Sequence, residues 1–386
     1  MARGTMHTSE LARPSVRGLT PYVPGRPITE IEREFGIHDV IKLASNENAH
    51  GPSPAALEAM RAALGESCLY PDNNAHALKQ ALSRHLGIEP EHISIGNGSN
   101  ELLFLLADVF LDGGASALYS QFGFSTYRIA IAKSGARAIE VPALARESAM
   151  PLGHDLPALA AAIAADSRLL YIANPNNPTG TWADAAEVKR LIERVPNHTI
   201  VALDEAYLEF GRERGSQDAL GWLAEHPNLV ILRTFSKAYG LAGLRVGYAL
   251  SHPEIAGLLN RVRPAFNVNS VAQAGAIAAL ADQAHMRRAV AVTLRELDRV
   301  RSELASLGLW AAPSAGNFLL VDLGSEALST HHALLRCGVI VRPVADYGLA
   351  QYLRISIGLP EQNDRLLAAL RERTKGSTRD SMSAAR

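Results

Sequence analysis

The sequence predicts an α/β protein with a large, mostly parallel-sheet domain followed by a smaller α/β domain. Three observations carry this. Short apolar runs of β type alternate with helical segments through most of the chain, the pattern of βα units around a parallel sheet covered on both faces. A long helical stretch, roughly Gln283 to Leu307, ends that alternation. A second, shorter alternation follows it.

The first forty residues read as an arm, because Pro14, Pro21, Pro24 and Pro27 interrupt any continuous helix. Pro54 to Leu64 has apolar positions at helical spacing, prolines near its start and Gly65 after its end. A second helix is expected from Asn74 to Leu86. The strand-type runs are Ile93–Ile95, Ser116–Tyr119, Ala138–Val141, Leu169–Ile172, Thr199–Leu203 and Leu229–Leu232, with helical patterns such as Phe122–Lys133 and Asp184–Glu193 between them. Past the long helix come Phe318–Val321, Glu326–Arg336, Val339–Val341, Tyr352–Ile355 and Glu361–Glu372. Residues 374–386 are small and polar, a composition that predicts a disordered tail.

Composition excludes several classes. Lys and Arg total 38 against 39 Asp and Glu, a net charge of −1, so no cationic excess is present for binding nucleic acid. Hydrophobic residues make up 47% of the chain, too many for a disordered acidic one. Two cysteines, Cys68 and Cys337, are too few for a disulfide framework or a four-cysteine zinc site and fit a reducing cytosol. The start, Met1 to Leu11, lacks the apolar run of a signal peptide, and no stretch reaches the roughly 20 apolar residues of a spanning helix. The expectation is a cytoplasmic protein with no membrane, nucleic-acid or metal partner.

Ligands of open α/β sheets bind beyond the carboxyl ends of the strands. After Ile93–Ile95 comes Gly96-Asn97-Gly98-Ser99-Asn100-Glu101, opening a helix. It is either a plain capped turn or a site where free N–H groups and the helix dipole bind a phosphate. It is not a full dinucleotide fingerprint, since Glu101 stands where a third glycine would. After Leu169–Ile172 comes Asn174-Pro175-Asn176-Asn177-Pro178-Thr179-Gly180, a rigid turn whose asparagines are placed to bond a ligand. After Thr199–Leu203 comes Asp204-Glu205-Ala206-Tyr207. A carboxylate at the tip of a buried strand is either satisfied by backbone donors or paired with a cationic ring nitrogen. After Leu229–Leu232 comes Arg233-Thr234-Phe235-Ser236-Lys237-Ala238-Tyr239-Gly240, then Leu241 to Tyr248. A lone lysine is ordinarily a solvated surface group, but Lys237 lies among small and apolar residues, where desolvation makes an amine nucleophilic. Jointly these motifs supply a phosphate cradle, a carboxylate for a pyridinium, donors for a phenolic oxygen and an amine for a Schiff base. That is the inventory for pyridoxal 5′-phosphate.

The same residues resemble the fold-type-I pyridoxal-phosphate enzymes, specifically class-II aminotransferases of the histidinol-phosphate aminotransferase group. The resemblance runs from about Val16 to Leu370 and includes Leu19-Thr20-Pro21-Tyr22, Leu43 to Asn48, Tyr70-Pro71-Asp72, Asn174–Gly180, Asp204–Tyr207, Arg233–Gly247 and Arg354. It implies that Lys237 bonds the cofactor covalently and later shuttles a proton, and that Asp204 keeps the pyridine nitrogen protonated. Asn177 and Tyr207 would bond the phenolic oxygen. Gly98, Ser99, Asn100, Ser236 and Arg245 would hold the phosphate, with Thr234 close by. Phe124 would stack on the ring. Tyr70 would reach the phosphate of a neighbouring subunit's cofactor, implying a homodimer. Arg354, Asn46 and a partner's Tyr22 would form the substrate-binding set. The chain would divide into an arm and part of the small domain (1–45), a cofactor domain (46–265), the remaining small domain (266–373) and the tail (374–386), the small domain being built from both chain ends.

Two departures from the family pattern stand out. The stacking aromatic, commonly Tyr, is Phe124, and the usual proline after Asn48 is Ala49, followed by His50. The expected reaction is amino transfer between L-histidinol phosphate and the 2-oxoglutarate/glutamate pair in histidine biosynthesis. An aromatic amino acid aminotransferase and a decarboxylase resembling threonine-phosphate decarboxylase would share the cofactor residues.

Overall fold

The computed structural model describes residues 7–21, 25–216 and 218–384. The N-terminal region carries two short helices, α1 (Pro14–Arg17) and α2 (Ile28–Phe35), and strand β1 (Ile41–Lys42). Pro27 sits immediately before α2, so the prolines delimit helices there rather than abolish them. Helix α3 (Pro54–Leu64) starts where Ser53 Oγ accepts the Ala56 N–H at 3.1 Å and Pro54 occupies the first turn. Helix α4 (His76–Leu86) begins later than Asn74, because the Asp72 carboxylate accepts the N–H groups of both Asn74 and His76 and folds the chain into a turn first.

Seven strands form the central sheet: β2 (Ile93–Gly96), β3 (Ser116–Ser120), β4 (Arg137–Val141), β5 (Ser167–Ala173), β6 (Ile200–Asp204), β7 (Leu229–Thr234) and β8 (Gly247–Ser251). Their order is β2-β8-β7-β6-β5-β3-β4. Strand β8 alone runs against its neighbours. It is absent from the sequence expectation, because its residues follow the glycine-rich turn that the eye assigns to a binding loop. The interleaved helices are α5 (Ser99–Phe110), α6 (Ser125–Ser134), α7 (Leu156–Ala161), α8 (Ala185–Arg194), α9 (Leu208–Arg212) and α10 (Pro253–Val262).

Side chains alternate across the strands, so both faces are apolar. Leu170, Ile172, Val201, Leu203, Leu229 and Ile231 pack on one side. Leu169, Tyr171, Ile200, Ala202, Val230 and Leu232 pack on the other, against α5, α6 and α10. Helix α11 (Ser270–Ala281) lies against α3 and α4. Helix α12 (Gln283–Ser306) then crosses from one core to the next: Met286, Val290 and Leu294 belong to the large core, Leu297, Val300 and Leu304 to the small one. The cores therefore change over inside a continuous helix, and the expected border at 265/266 falls ahead of α11 and the first half of α12.

The small unit comprises β9 (Phe318–Asp322), α13 (Ala327–Arg336), β10 (Val339–Ile340), β11 (Arg342–Val344), β12 (Leu349–Ser356) and α14 (Pro360–Ala384). Strand β1 pairs in parallel with β10, which joins the two chain ends in one core as expected. Helix α14 extends into the segment whose composition predicts disorder. After Pro360 no proline interrupts it; its run of good helix formers, Arg365 to Arg373, lies ahead of that segment. No described helix is long and apolar enough to cross a membrane.

One buried charge cluster ties β6, β7 and a following turn together. Arg233 donates from Nε to Glu205 Oε2 at 2.9 Å and also pairs with Asp218, while the Ala219 N–H donates to Glu205 Oε1 at 3.0 Å. Arg233 and Glu205 are 3% and 2% exposed. Replacing one partner of such a pair leaves the other charged and unmatched. Arg233→Met is expected to lower the unfolding free energy by about 3–5 kcal/mol, read as a lower denaturant midpoint. An unchanged midpoint would mean that the cluster does not hold these strand ends.

Candidate active site

The carboxyl ends of β2, β5, β6 and β7 open on one cavity, with about 580 Å³ of empty volume, lined by residues that include Ser99, Asn100, Phe124, Asn177, Asp204, Tyr207, Thr234, Ser236, Lys237 and Arg245. The fold thus brings these strand-end residues into one place.

At one end of the cavity, Gly98 precedes α5 with φ 74°, and no side chain caps the helix. The first N–H groups of α5 are left for a ligand, at the positive end of the helix dipole. A Cβ at Gly98 would lie 2.6 Å from Arg245 Nη2, so only glycine lets the guanidinium approach this helix end. Arg245 itself has φ 56° and donates to Ser236 Oγ at 3.4 Å and to the Ala242 carbonyl at 3.1 Å. The Thr234 hydroxyl donates to Ser236 Oγ at 3.0 Å and accepts the Ser236 N–H at 3.1 Å, which orients the serine. Asn100 accepts from the Thr126 hydroxyl at 2.8 Å.

At the other end stands Asp204, 6% exposed at the tip of β6. Its Oδ2 accepts from the Tyr127 hydroxyl at 2.9 Å and its Oδ1 from the Ala206 N–H at 3.1 Å. No cation bonds it. Burial pushes its pKa up from 3.8 to about 6, the two donors and Lys237 opposing that rise. Tyr127 was not singled out from the sequence. It lies three residues after Phe124, the N-cap of α6, and its N–H closes the first turn onto the Phe124 carbonyl at 2.9 Å; that nearness in sequence is the available signal.

Between these ends lies Lys237. Its Nζ donates to the carbonyls of Ser45 and Asn46, both at 3.2 Å, and sits 5.6 Å from the centre of the Tyr207 ring. Burial, then the Arg354 charge, push its pKa down from 10.5 to about 7. Tyr207 Oη accepts from Asn46 Nδ2 at 2.9 Å. Asn177 Oδ1 accepts from Arg354 Nη1 at 2.5 Å, and Arg354 Nη2 donates to the Ala44 carbonyl at 2.6 Å. Arg354 Nε is buried with no partner. Phe124 forms a wall, its ring edge-on to Tyr127 at 5.9 Å.

One expected residue stands apart. Tyr70 is 82% exposed and stacks on Phe266 at 4.6 Å, away from this cavity. Tyr22 lies outside the described residues. Asn46 is committed to Tyr207 and Ser356 rather than turned outward.

The arrangement fits pyridoxal 5′-phosphate on its own chemistry. An uncapped helix N-terminus with Ser236 and Arg245 matches a phosphate, a buried carboxylate with no cation matches a pyridinium, and a depressed lysine matches an aldehyde. In the cofactor-free chain the two shifted groups act oppositely on stability. Asp204, with its pKa raised, contributes stability that is complete below 3.8 and lost as pH rises through about 6. Lys237, with its pKa lowered, contributes stability that is complete above 10.5 and lost as pH falls through about 7. Asp204→Asn removes the first dependence. Its stability relative to the parent, measured cofactor-free by denaturant unfolding, is expected to climb between pH 4 and 6. A pH-independent difference contradicts the assignment.

Residues 38–370 match the family model for aminotransferase class I and II. Histidinol-phosphate aminotransferase 1 of Nitrosococcus oceani is 47% identical over 361 residues, covering 94% of this chain and 96% of the relative. Histidinol-phosphate aminotransferase 2 of Pseudomonas aeruginosa is 49% identical over 362 residues, covering 93% and 96%. The crystal structure of histidinol-phosphate aminotransferase from Sinorhizobium meliloti in complex with pyridoxal 5′-phosphate superposes with a TM-score of 0.85 at 36% identity, covering 94% and 97%. With a cavity built for the same cofactor and relatives aligned along nearly its whole length, the chain belongs to the class I and II aminotransferases, within the histidinol-phosphate aminotransferase group.

Proposed function

We propose that this enzyme moves an amino group between L-histidinol phosphate and the 2-oxoglutarate/glutamate pair in L-histidine biosynthesis. The observation that carries this reading is Arg354, a buried guanidinium beside Asn177 whose Nε has no partner. Histidinol phosphate offers a phosphate and no carboxylate, whereas glutamate offers two carboxylates. One planar fork binds either anion in the same place. The histidinol-phosphate aminotransferases of Nitrosococcus and Pseudomonas, nearly half identical to this chain, support histidinol phosphate as one partner.

The cofactor, when bound, supplies an electron sink that acidifies the Cα–H of the attached amino compound. The protein's part follows from its own groups. The Asp204 carboxylate holds the proton on the ring nitrogen, and Tyr127 and the Ala206 N–H keep the carboxylate aimed. Lys237 Nζ, pushed down to about 7, exchanges its proton near neutral pH, so it can accept a proton and return it. The Ser45 and Asn46 carbonyls hold that amine against the cavity wall when it is free. Ser236, Arg245 and the start of α5 grip the phosphate. The Phe124 ring covers a flat face. Asn177 and Tyr207 hold the phenolic oxygen. The exposed Tyr70 supports a homodimer in which this side chain enters the neighbouring subunit's site. The two cysteines, free and exposed, accord with a cytoplasmic enzyme.

Half-reactions of the holoenzyme with histidinol phosphate, phenylalanine, glutamate and O-phosphothreonine test the substrate. Histidinol phosphate and glutamate are expected to convert the cofactor to its amine form, with a far weaker response to phenylalanine. A preference for phenylalanine would move the assignment to aromatic amino acids, and carbon dioxide release from O-phosphothreonine would overturn amino transfer. Lys237→Ala is expected to lose the visible absorbance of the lysine-bound cofactor and at least about 10²-fold in rate. Arg354→Lys is expected to raise KM for both substrates about tenfold, since an ammonium cannot make the two-pronged contact.

A further inference from the structure

Ser356 stands two residues beyond Arg354 on β12, on the same side of the strand, and is 4% exposed. Its hydroxyl joins a chain of hydrogen bonds whose directions can be worked out. Ser356 Oγ accepts the Asn46 N–H at 2.8 Å and lies 3.0 Å from Asn46 Oδ1, to which it donates its one proton. Asn46 Nδ2 then faces Tyr207 and donates to its Oη at 2.9 Å. With Tyr207 Oη already accepting, the tyrosine's own proton is free to point elsewhere.

The opposite amide orientation is disfavoured by the serine. Were the Asn46 amide reversed, its Nδ2 would face Ser356 Oγ, which already accepts a backbone N–H, and the serine proton would be buried without an acceptor. A buried donor stranded in this way loses its bond to water without gaining one in the protein. In that reversed state Tyr207 would donate to Asn46 Oδ1 and lose its donor toward the cavity. Asn46 is further pinned by Asn317, whose Nδ2 donates to the Asn46 carbonyl at 3.0 Å, and its backbone is held at φ 54°.

We propose that Ser356 is a positioning residue for the cofactor: acting through Asn46, it makes Tyr207 turn its hydroxyl proton into the cavity, where the cofactor's phenolic oxygen accepts it. This rests on the cofactor-binding reading above. A hydrogen bond donated to that oxygen favours its anionic form and makes the conjugated nitrogen joining Lys237 to the cofactor less basic. Removing the bond therefore raises the pH at which that nitrogen titrates. The charged and titratable groups around Tyr207 are Arg354, Asp204, Tyr347 and Lys237, with Glu47 and Arg245 acting on Lys237. All remain in place in the Ser356 variants.

The test is a pH titration of visible absorbance of the holoenzyme, with Ser356→Ala, Ser356→Thr, Tyr207→Phe and the Ala/Phe double variant. Ser356→Ala is expected to raise the midpoint by about one unit, the size of losing one hydrogen bond to a charged group. Tyr207→Phe is expected to raise it at least as far, and the double variant no further than Tyr207→Phe alone, because both act on one proton. Ser356→Thr, which keeps the hydroxyl, is expected to titrate with the parent. An unmoved midpoint in Ser356→Ala, a shift that adds to that of Tyr207→Phe, or a threonine variant shifted like the alanine one would each overturn the proposal. Absence of any cofactor band in the parent would instead overturn the cofactor reading itself.

Discussion

The site depends on a carboxylate that the chain buries without giving it a cation. Asp204 ends β6 at the bottom of the cavity, and its hydrogen-bond donors, Tyr127 and the Ala206 N–H, are neutral. An isolated buried carboxylate is costly and tends to take up a proton unless a positive charge is supplied. Neighbouring strands set what surrounds it. Asp204 is opposite Leu232 in the β6–β7 register, so Thr234 and the loop bearing Ser236 and Lys237 emerge just past it. Lys237 faces the mirror-image difficulty, an amine whose charged form is disfavoured by the same burial. On the proposed reading, the pyridinium and aldehyde of one cofactor would relieve both.

The anion-binding half is equally local. A net charge of −1 gives the molecule no overall field to draw in phosphorylated or dicarboxylic substrates. On the proposed reading, attraction comes from Arg245 with the start of α5 and from Arg354 beside Asn177. Gly98 has no Cβ to block the Arg245 guanidinium, and Asn177 and Ala44 hold the Arg354 fork while its Nε has no partner among the described residues.

Much of this was legible in the sequence, for a physical reason. In a parallel sheet every strand ends on the same edge, so residues following successive apolar runs must converge even when far apart in the chain. That placed Asn177, Asp204, Thr234, Ser236 and Lys237 together without coordinates. What sequence hid was of two kinds. Strand β8 reverses direction inside a glycine-rich stretch, and α12 is one unbroken helix whose two ends serve different cores, so neither leaves a compositional break. Tyr127 and Ser356 are polar supports reached only through another residue, although each lies close to a recognised one: Tyr127 three positions past Phe124, the residue that caps α6, and Ser356 two positions from Arg354 on one strand.

The most direct measurement of the central constraint compares the dissociation constant of pyridoxal 5′-phosphate with that of an analogue carrying carbon in place of the ring nitrogen, in the parent and in Asp204→Asn. If Asp204 is a buried anion completed by the ring cation, the parent should favour the natural cofactor by about 10- to 100-fold, the range of a charge-assisted hydrogen bond, and the asparagine variant should lose most of that preference. Equal discrimination by parent and variant would contradict it.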